Sequence, residues 1–137
     1  MTILRPLRTA ALGLLLAPAL PMAALAGPSG SVSIELQPRT AQEARAMRAG
    51  LIAYSLYRGV EGGAFVDQNG RLNAAAVAQA GRGNRAVVEQ HGSSHTATLD
   101  QRGNANAYGI FQIGHGQTAH VAQHGNGGAG ILVQVGF

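Results

Sequence analysis

From Gly62 to Phe137 the chain repeats every eleven residues without a slip. Glutamine recurs at Gln68, Gln79, Gln90, Gln101, Gln112, Gln123 and Gln134. Two residues after each stands a glycine: Gly70, Gly81, Gly92, Gly103, Gly114, Gly125 and Gly136. Two before each stands a branched aliphatic: Val66, Val77, Val88, Leu99, Ile110, Val121 and Leu132. Two before that the residue is small (Ala64, Ala75, Ala86, Ala97, Ala119, Gly130), except at Tyr108. The block often opens on an amide, at Asn73, Asn84, Asn106 and Gln117, with His95 in the same slot. A short fixed period of this kind marks a stacked array.

The marked positions within a block lie two apart, as in Asn73, Ala75, Val77 and Gln79. A period of two places them on one face of a β-strand. Eleven residues with a glycine-rich break are too few for a stable helix of ordinary length. Each block is therefore strand plus turn, with Gly70, Gly81, Gly92, Gly103, Gly114 and Gly125 as turn glycines that supply positive φ. Two blocks make one lap of twenty-two residues. The expected fold is all-β: a parallel two-sheet β-solenoid with rungs about 4.8 Å apart. Blocks beginning at Gly62, Asn84, Asn106 and Gly128 build one sheet, and those beginning at Asn73, His95 and Gln117 the other. Val66, Val88, Ile110 and Leu132 then fill one side of the core, and Val77, Leu99 and Val121 the other. Gln79, Gln101 and Gln123 stack as a column whose amides donate and accept along the pile, which avoids unpaired buried polar groups.

The pattern Asn-x-Ala-x-Val-x-Gln-x-Gly-x-x, seen at Asn73–Gly83 and Asn84–Ser94, resembles the curlin repeat of bacterial curli subunits. The resemblance covers Gly62–Phe137. It implies a secreted functional amyloid that polymerises end to end into surface fibres for adhesion and biofilm matrix. It further implies that Gln68, Asn73, Gln79, Asn84, Gln90, Gln101, Asn106, Gln112, Gln123 and Gln134 form the self-assembly ladder. The partners it implies are the chain itself, other curlin-type subunits, and an outer-membrane secretion pore with its assembly factors. Gly62, Gly128 and Gln117 depart from the usual Asn or Ser at the block start.

The rest of the chain divides in two. Met1–Ala26 reads as a secretory signal, with Arg5 and Arg8 at its start, an apolar run over Ala10–Ala19, and Ala24-Leu25-Ala26 as the cleavage motif. Gly27–Glu61 is not repeat. Ser31–Leu36 alternates as a short strand would, and Thr40-Ala41-Gln42-Glu43 is a capping-box sequence ahead of a helix over Ala41–Tyr57. That segment is expected either to pack on the solenoid or to act as a secretion or assembly signal. The second half of the chain, Gly62–Phe137, is the solenoid domain.

Composition excludes more than it suggests. Without Arg5 and Arg8, eight arginines face six acidic residues, and no lysine occurs. These arginines are scattered without interleaved aromatics, which argues against specific nucleic-acid binding. No cysteine is present, so neither a disulfide nor a thiol nucleophile is available. No G-x-S-x-G elbow occurs, and Ser93 and Ser94 beside His91 and His95 read as polar turn residues. No enzyme activity, cofactor or metal site is expected: His120 and His124 lie about 13 Å apart along a strand. The only histidine grouping worth weighing is His91 with His115 in the turn region. Asp67, Glu89 and Asp100 alternate outward, and with Arg102 are expected to slow premature stacking. Phe111, Ile113, Ile131, Val133 and Val135 also alternate outward and are expected to be exposed contact surface. Tyr108 is a large ring in an alanine column, for which Gly130 makes room. The alternative to a fibre subunit is a monomeric secreted β-solenoid that binds a polysaccharide or protein, with Gly27–Glu61 capping one end.

Overall fold

The computed structural model describes residues 22–27 and 30–137. Most of the signal-like segment, residues 1–21, lies outside the described residues. Strands β1 (Met22–Gly27) and β2 (Ser31–Leu36) lead into helix α1 (Ala41–Tyr57). Seven solenoid strands follow: β3 (Gly63–Arg71), β4 (Ala74–Ala80), β5 (Arg85–Ser93), β6 (Thr96–Asn104), β7 (Ala107–His115), β8 (Thr118–Asn126) and β9 (Ala129–Gly136). The chain folds into the parallel two-sheet β-solenoid that the eleven-residue period dictates, one helix preceding it. The large sheet runs β1-β2-β9-β7-β5-β3 and the small sheet β4-β6-β8. All pairs within the solenoid are parallel and offset by one lap, so that Val66 meets Val88, Val88 meets Ile110, and Gln90 meets Gln112.

The core between the sheets holds Val88, Ile110 and Leu99, with Ala86, Ala97 and Ala119 beside them. Val77, Val121 and Leu132 are half-buried at its margins. Val66 departs from the expected core, being 43% exposed. It sits on β3, the free edge of the large sheet, with a rung on one side only. The same edge position leaves Gln68 exposed.

The recurring glycines do more than turn the chain. Gly70, Gly92, Gly103, Gly114 and Gly125 lie inside the strands near their C-terminal ends, and Gly81 directly follows β4, all with φ between 94° and 128°. A Cβ on Gly70, Gly81, Gly92, Gly103 or Gly114 would run into the carbonyl of the glycine one lap on. Glycine is thus required twice over, by conformation and by the close approach of successive rungs. The sharper left-handed corner comes two residues later, at Leu72, Gly83, Ser94, Ala105, Gly116 and Gly127, with φ from 58° to 70°. Three of these corners carry a side chain, a conformation that costs about 1–2 kcal/mol each.

Helix α1 forms where its capping box lies. Thr40 Oγ1 accepts from the Glu43 amide at 3.1 Å, and Glu43 Oε2 accepts from the Arg39 amide at 2.7 Å. The helix lies across the outer face of the large sheet. Met47 and Leu51 are buried there with Val87, Phe111, Ile131 and Leu36. This corrects the expectation of an exposed apolar face: Phe111 and Ile131 are buried, Val133 and Val135 half-buried, and only Ile113 stays open, at 47% exposure. An alternating strand shows which side chains leave the solenoid core, not whether another element covers them.

The steric argument gives a prediction. Gly103→Ala should lower stability by at least ~2 kcal/mol, from backbone strain and the clash with Gly125. Ala105→Gly, which relieves a left-handed corner, should raise it by up to ~1 kcal/mol. Denaturant-unfolding midpoints of the two variants should move in opposite directions.

Candidate functional site

The inward amides form two continuous columns. In the large sheet, Gln68 Nε2 donates to Gln90 Oε1 at 2.7 Å, Gln90 to Gln112 at 2.7 Å, and Gln112 to Gln134 at 2.8 Å. In the small sheet, Gln79 donates to Gln101 at 2.8 Å and Gln101 to Gln123 at 2.9 Å. The second N–H of the amide crosses to the facing sheet: Gln90 donates to the Ala74 carbonyl, Gln101 to Arg85 and Gln112 to Thr96, at 3.0–3.1 Å. Gln123 and Gln134 reach Ala107 and Thr118 in the same way. Gln90, Gln101 and Gln112 are fully buried, where an unpaired amide would cost ~1–3 kcal/mol. Every donor points toward the later rung, so each column carries oxygen at its first-coil end and N–H at its last-coil end.

The asparagines fasten the corners. Asn84 Oδ1 accepts from the Asn106 amide at 3.1 Å while its Nδ2 donates to the Gly103 carbonyl at 2.9 Å. Asn73 and Asn106 do the same, toward His95 and Gly92, and toward Gly128 and Gly125. His95 takes the slot without leaving it unsatisfied. Its Nδ1 accepts from the Gln117 amide at 3.3 Å and its Nε2 lies 3.1 Å from the His91 carbonyl, an arrangement that fits the Nε2–H tautomer. A further corner column was not anticipated: Asn104 Oδ1 accepts from the Arg82 amide and Asn126 Oδ1 from the Asn104 amide, both at 2.9 Å. Its sequence signal is asparagine at a twenty-two-residue spacing just after the recurring glycine.

The charged groups differ from expectation. Glu89 does leave the solenoid core, but α1 buries it. Tyr54 O–H donates to it, Arg58 Nε lies 3.8 Å away, and His91 Nε2 3.6 Å away. Asp67 pairs with Arg58, and Asp100 with Arg102 at 3.1 Å. These carboxylates are engaged within the chain, and Glu89 is not a free surface charge. The histidines are dispersed likewise. Ser93 Oγ lies 2.7 Å from His115 Nδ1, its partner one lap on, and His91 turns to Glu89. Among the described residues, no group of three or more His, Asp or Glu is placed to hold a metal ion.

Tyr108 spans the core to the N-terminal segment. Its ring fills the space left at Gly130, where a Cβ would collide with it, and its O–H donates to Glu35 Oε1 at 2.9 Å. Burial, then the charge of Glu35 and this hydrogen bond, push the Tyr108 phenol well above its usual range. Burial, then the hydrogen bond and charge of Glu89, do the same for Tyr54.

A stack of parallel rungs with in-register amide columns, closed at the corners by asparagine and glycine, defines a structural β-solenoid. Residues 63–92, which hold β3, β4 and nearly all of β5, match the family model described as the curlin associated repeat, and this supports assigning the chain to the curlin family. That family is one of structural fibre subunits, not of enzymes. No curated protein and no solved structure matches the chain.

Two predictions follow from the buried polar groups. His95→Asn should preserve stability, since Asn Oδ1 can take the Gln117 amide, whereas His95→Leu should cost ~1–3 kcal/mol; thermal melts separate them. Both tyrosines stay neutral in the fold at a pH where the unfolded chain would ionise. Their contribution to stability is therefore complete below about pH 10 and is lost as pH rises above that. Tyrosinate absorbance of Tyr54 and Tyr108 should appear only together with the loss of β circular dichroism.

Proposed function

We propose that the protein is a secreted structural subunit of curli-type functional amyloid fibres, built by end-to-end cross-β stacking and serving adhesion and biofilm matrix. The observation that carries this reading is the polarity of the amide columns. Gln68 and Gln79 offer oxygens on the open edge of β3 and β4, while the N–H of Gln123 faces onward from the edge of β8. The last rung of one copy can thus be hydrogen-bonded by the first rung of the next in the register used inside the chain. In this reading Gln68, Asn73, Gln79, Asn84, Gln90, Gln101, Asn106, Gln112, Gln123 and Gln134 are the ladder that fixes that register. Export rests on the signal-like Met1–Ala26, and the partners are further curlin-type subunits, an outer-membrane pore and its assembly factors. Among the described residues no helix is long and apolar enough to cross a membrane.

A second reading, a monomeric solenoid that binds a polysaccharide or protein, draws on a different observation: β2 already occupies the edge of β9. The two readings part in one experiment. Purified protein held at high concentration should form thioflavin-positive fibrils after a lag, with a reflection near 4.8 Å. Gln90→Leu with Gln112→Leu should slow or abolish that growth. A parent chain that light scattering shows monomeric for days would favour the binding module.

A further inference from the structure

Strand β2 lies where the stack would otherwise add a rung. It pairs with β9 over six residues, from Ser31 opposite Gly136 to Leu36 opposite Ile131, but antiparallel, unlike every pair inside the solenoid. Its alternation suits both sides of the sheet it joins. Ile34 and Leu36 enter the cluster beneath α1. Ser33 and Glu35 fall on the other side, and each ends something begun in the solenoid. Ser33 Oγ accepts from Gln134 Nε2 at 3.2 Å, where the amide column of the large sheet stops. Glu35 accepts the Tyr108 hydroxyl, which Gly130 lets through the wall of the core. The Phe137 amide donates to the Gly30 carbonyl at 2.9 Å, pinning the start of the strand. The companion edge at this end, β8, pairs with β6 alone among the described strands.

We propose that β2 is a releasable cap, which holds the β9 edge against a second copy of this chain and must leave before that copy can stack on β8 and β9 together. The inference rests on the self-stacking reading above and adds how that stacking is held back. An antiparallel strand covers the edge and offers no continuing glutamine, so growth stops where it sits. The competition is between one tethered strand and two untethered ones. The tether gives β2 an effective concentration in the millimolar range, so it wins in dilute protein. An incoming coil pairs both edges and prolongs both amide columns, so it wins where copies are crowded or a fibre end is already present. Release frees β1, which pairs with β2, and takes Leu36 from the cluster beneath α1, but it leaves every pair within the solenoid in place. Residues 37–40 join β2 to α1, and Pro38 among them donates no backbone hydrogen bond. Met47 and Leu51 of α1 share a cluster with Val87, Phe111 and Ile131 of the solenoid, contacts that do not run through β2.

The chain has no cysteine, so a single engineered pair can lock the cap. Val32→Cys with Val135→Cys joins register partners of β2 and β9. Oxidised, this variant should fail to seed or elongate thioflavin-positive fibrils, and reductant added to the same sample should restore growth. Ser33→Ala with Glu35→Ala weakens the cap and leaves every repeat untouched. It should raise the uncapped population roughly tenfold per hydrogen bond of consequence, and shorten the lag accordingly. Oxidised protein that grows at the reduced rate, or a lag unchanged in the weakened variant, overturns the cap and leaves self-stacking intact. If the parent, the reduced pair and the weakened variant all remain monomeric, self-stacking itself fails, and the cap with it.

Discussion

The fold depends on one repeated contact: a residue meets its counterpart twenty-two positions on, at β-sheet spacing, with backbone and side chain bonded in the same direction. The glycine columns set how closely rungs approach, because the carbonyl of one lap occupies the space a Cβ would need on the last. The glutamine columns set the register. A slip of one residue would turn Gln90, Gln101 and Gln112 out of the core and put Glu89 or Asp100 in their place. Hydrophobic burial adds to this but does not specify it, since valine, leucine and isoleucine exchange freely along the core column. The amides are the part that cannot be exchanged without leaving a buried group unpaired.

The N-terminal segment makes the two faces of the solenoid unlike. Helix α1 covers the outer side of the large sheet and takes Glu89, Phe111 and Ile131 out of solvent. Among the described residues the small sheet has no such cover, and its outer face shows Ala76, Ala78, Thr98, His120 and Ala122, with Thr98 Oγ1 2.6 Å from His120 Nδ1. A lateral partner would therefore meet a flat strand surface on one side and a helix on the other.

Much of this was legible from residues alone, for reasons specific to each element. The eleven-residue period left no other economical fold, and the glutamines named their own partners. The bounds of α1 followed from Thr40 and Glu43, whose side chains bond the helix start as a capping box does. The strand over Ser31–Leu36 followed from its alternation. What could not be read was where these two pieces dock. Nothing local in Ser33 or Glu35 indicates that Gln134 and Tyr108 wait for them 101 and 73 residues further on, because such matches arise only once the stack exists. The exposed rim of Val66 and the buried site of Glu89 were missed for the same reason: alternation gives direction, while exposure depends on the next layer. The left-handed corners at Leu72, Ser94 and Ala105 were hidden because a side chain stands where glycine would have announced the bend.

The number of strands carries a last consequence. The winding begins on the large sheet with β3 and returns to it with β9, leaving four parallel rungs there against three in β4, β6 and β8. An odd count has no whole number of laps. Anything that carries the spiral onward must lay its opening strand on β8, on the side opposite to where this chain began. Identical units joined in that way are related by a half-turn about the long axis, and their helices project alternately to left and right.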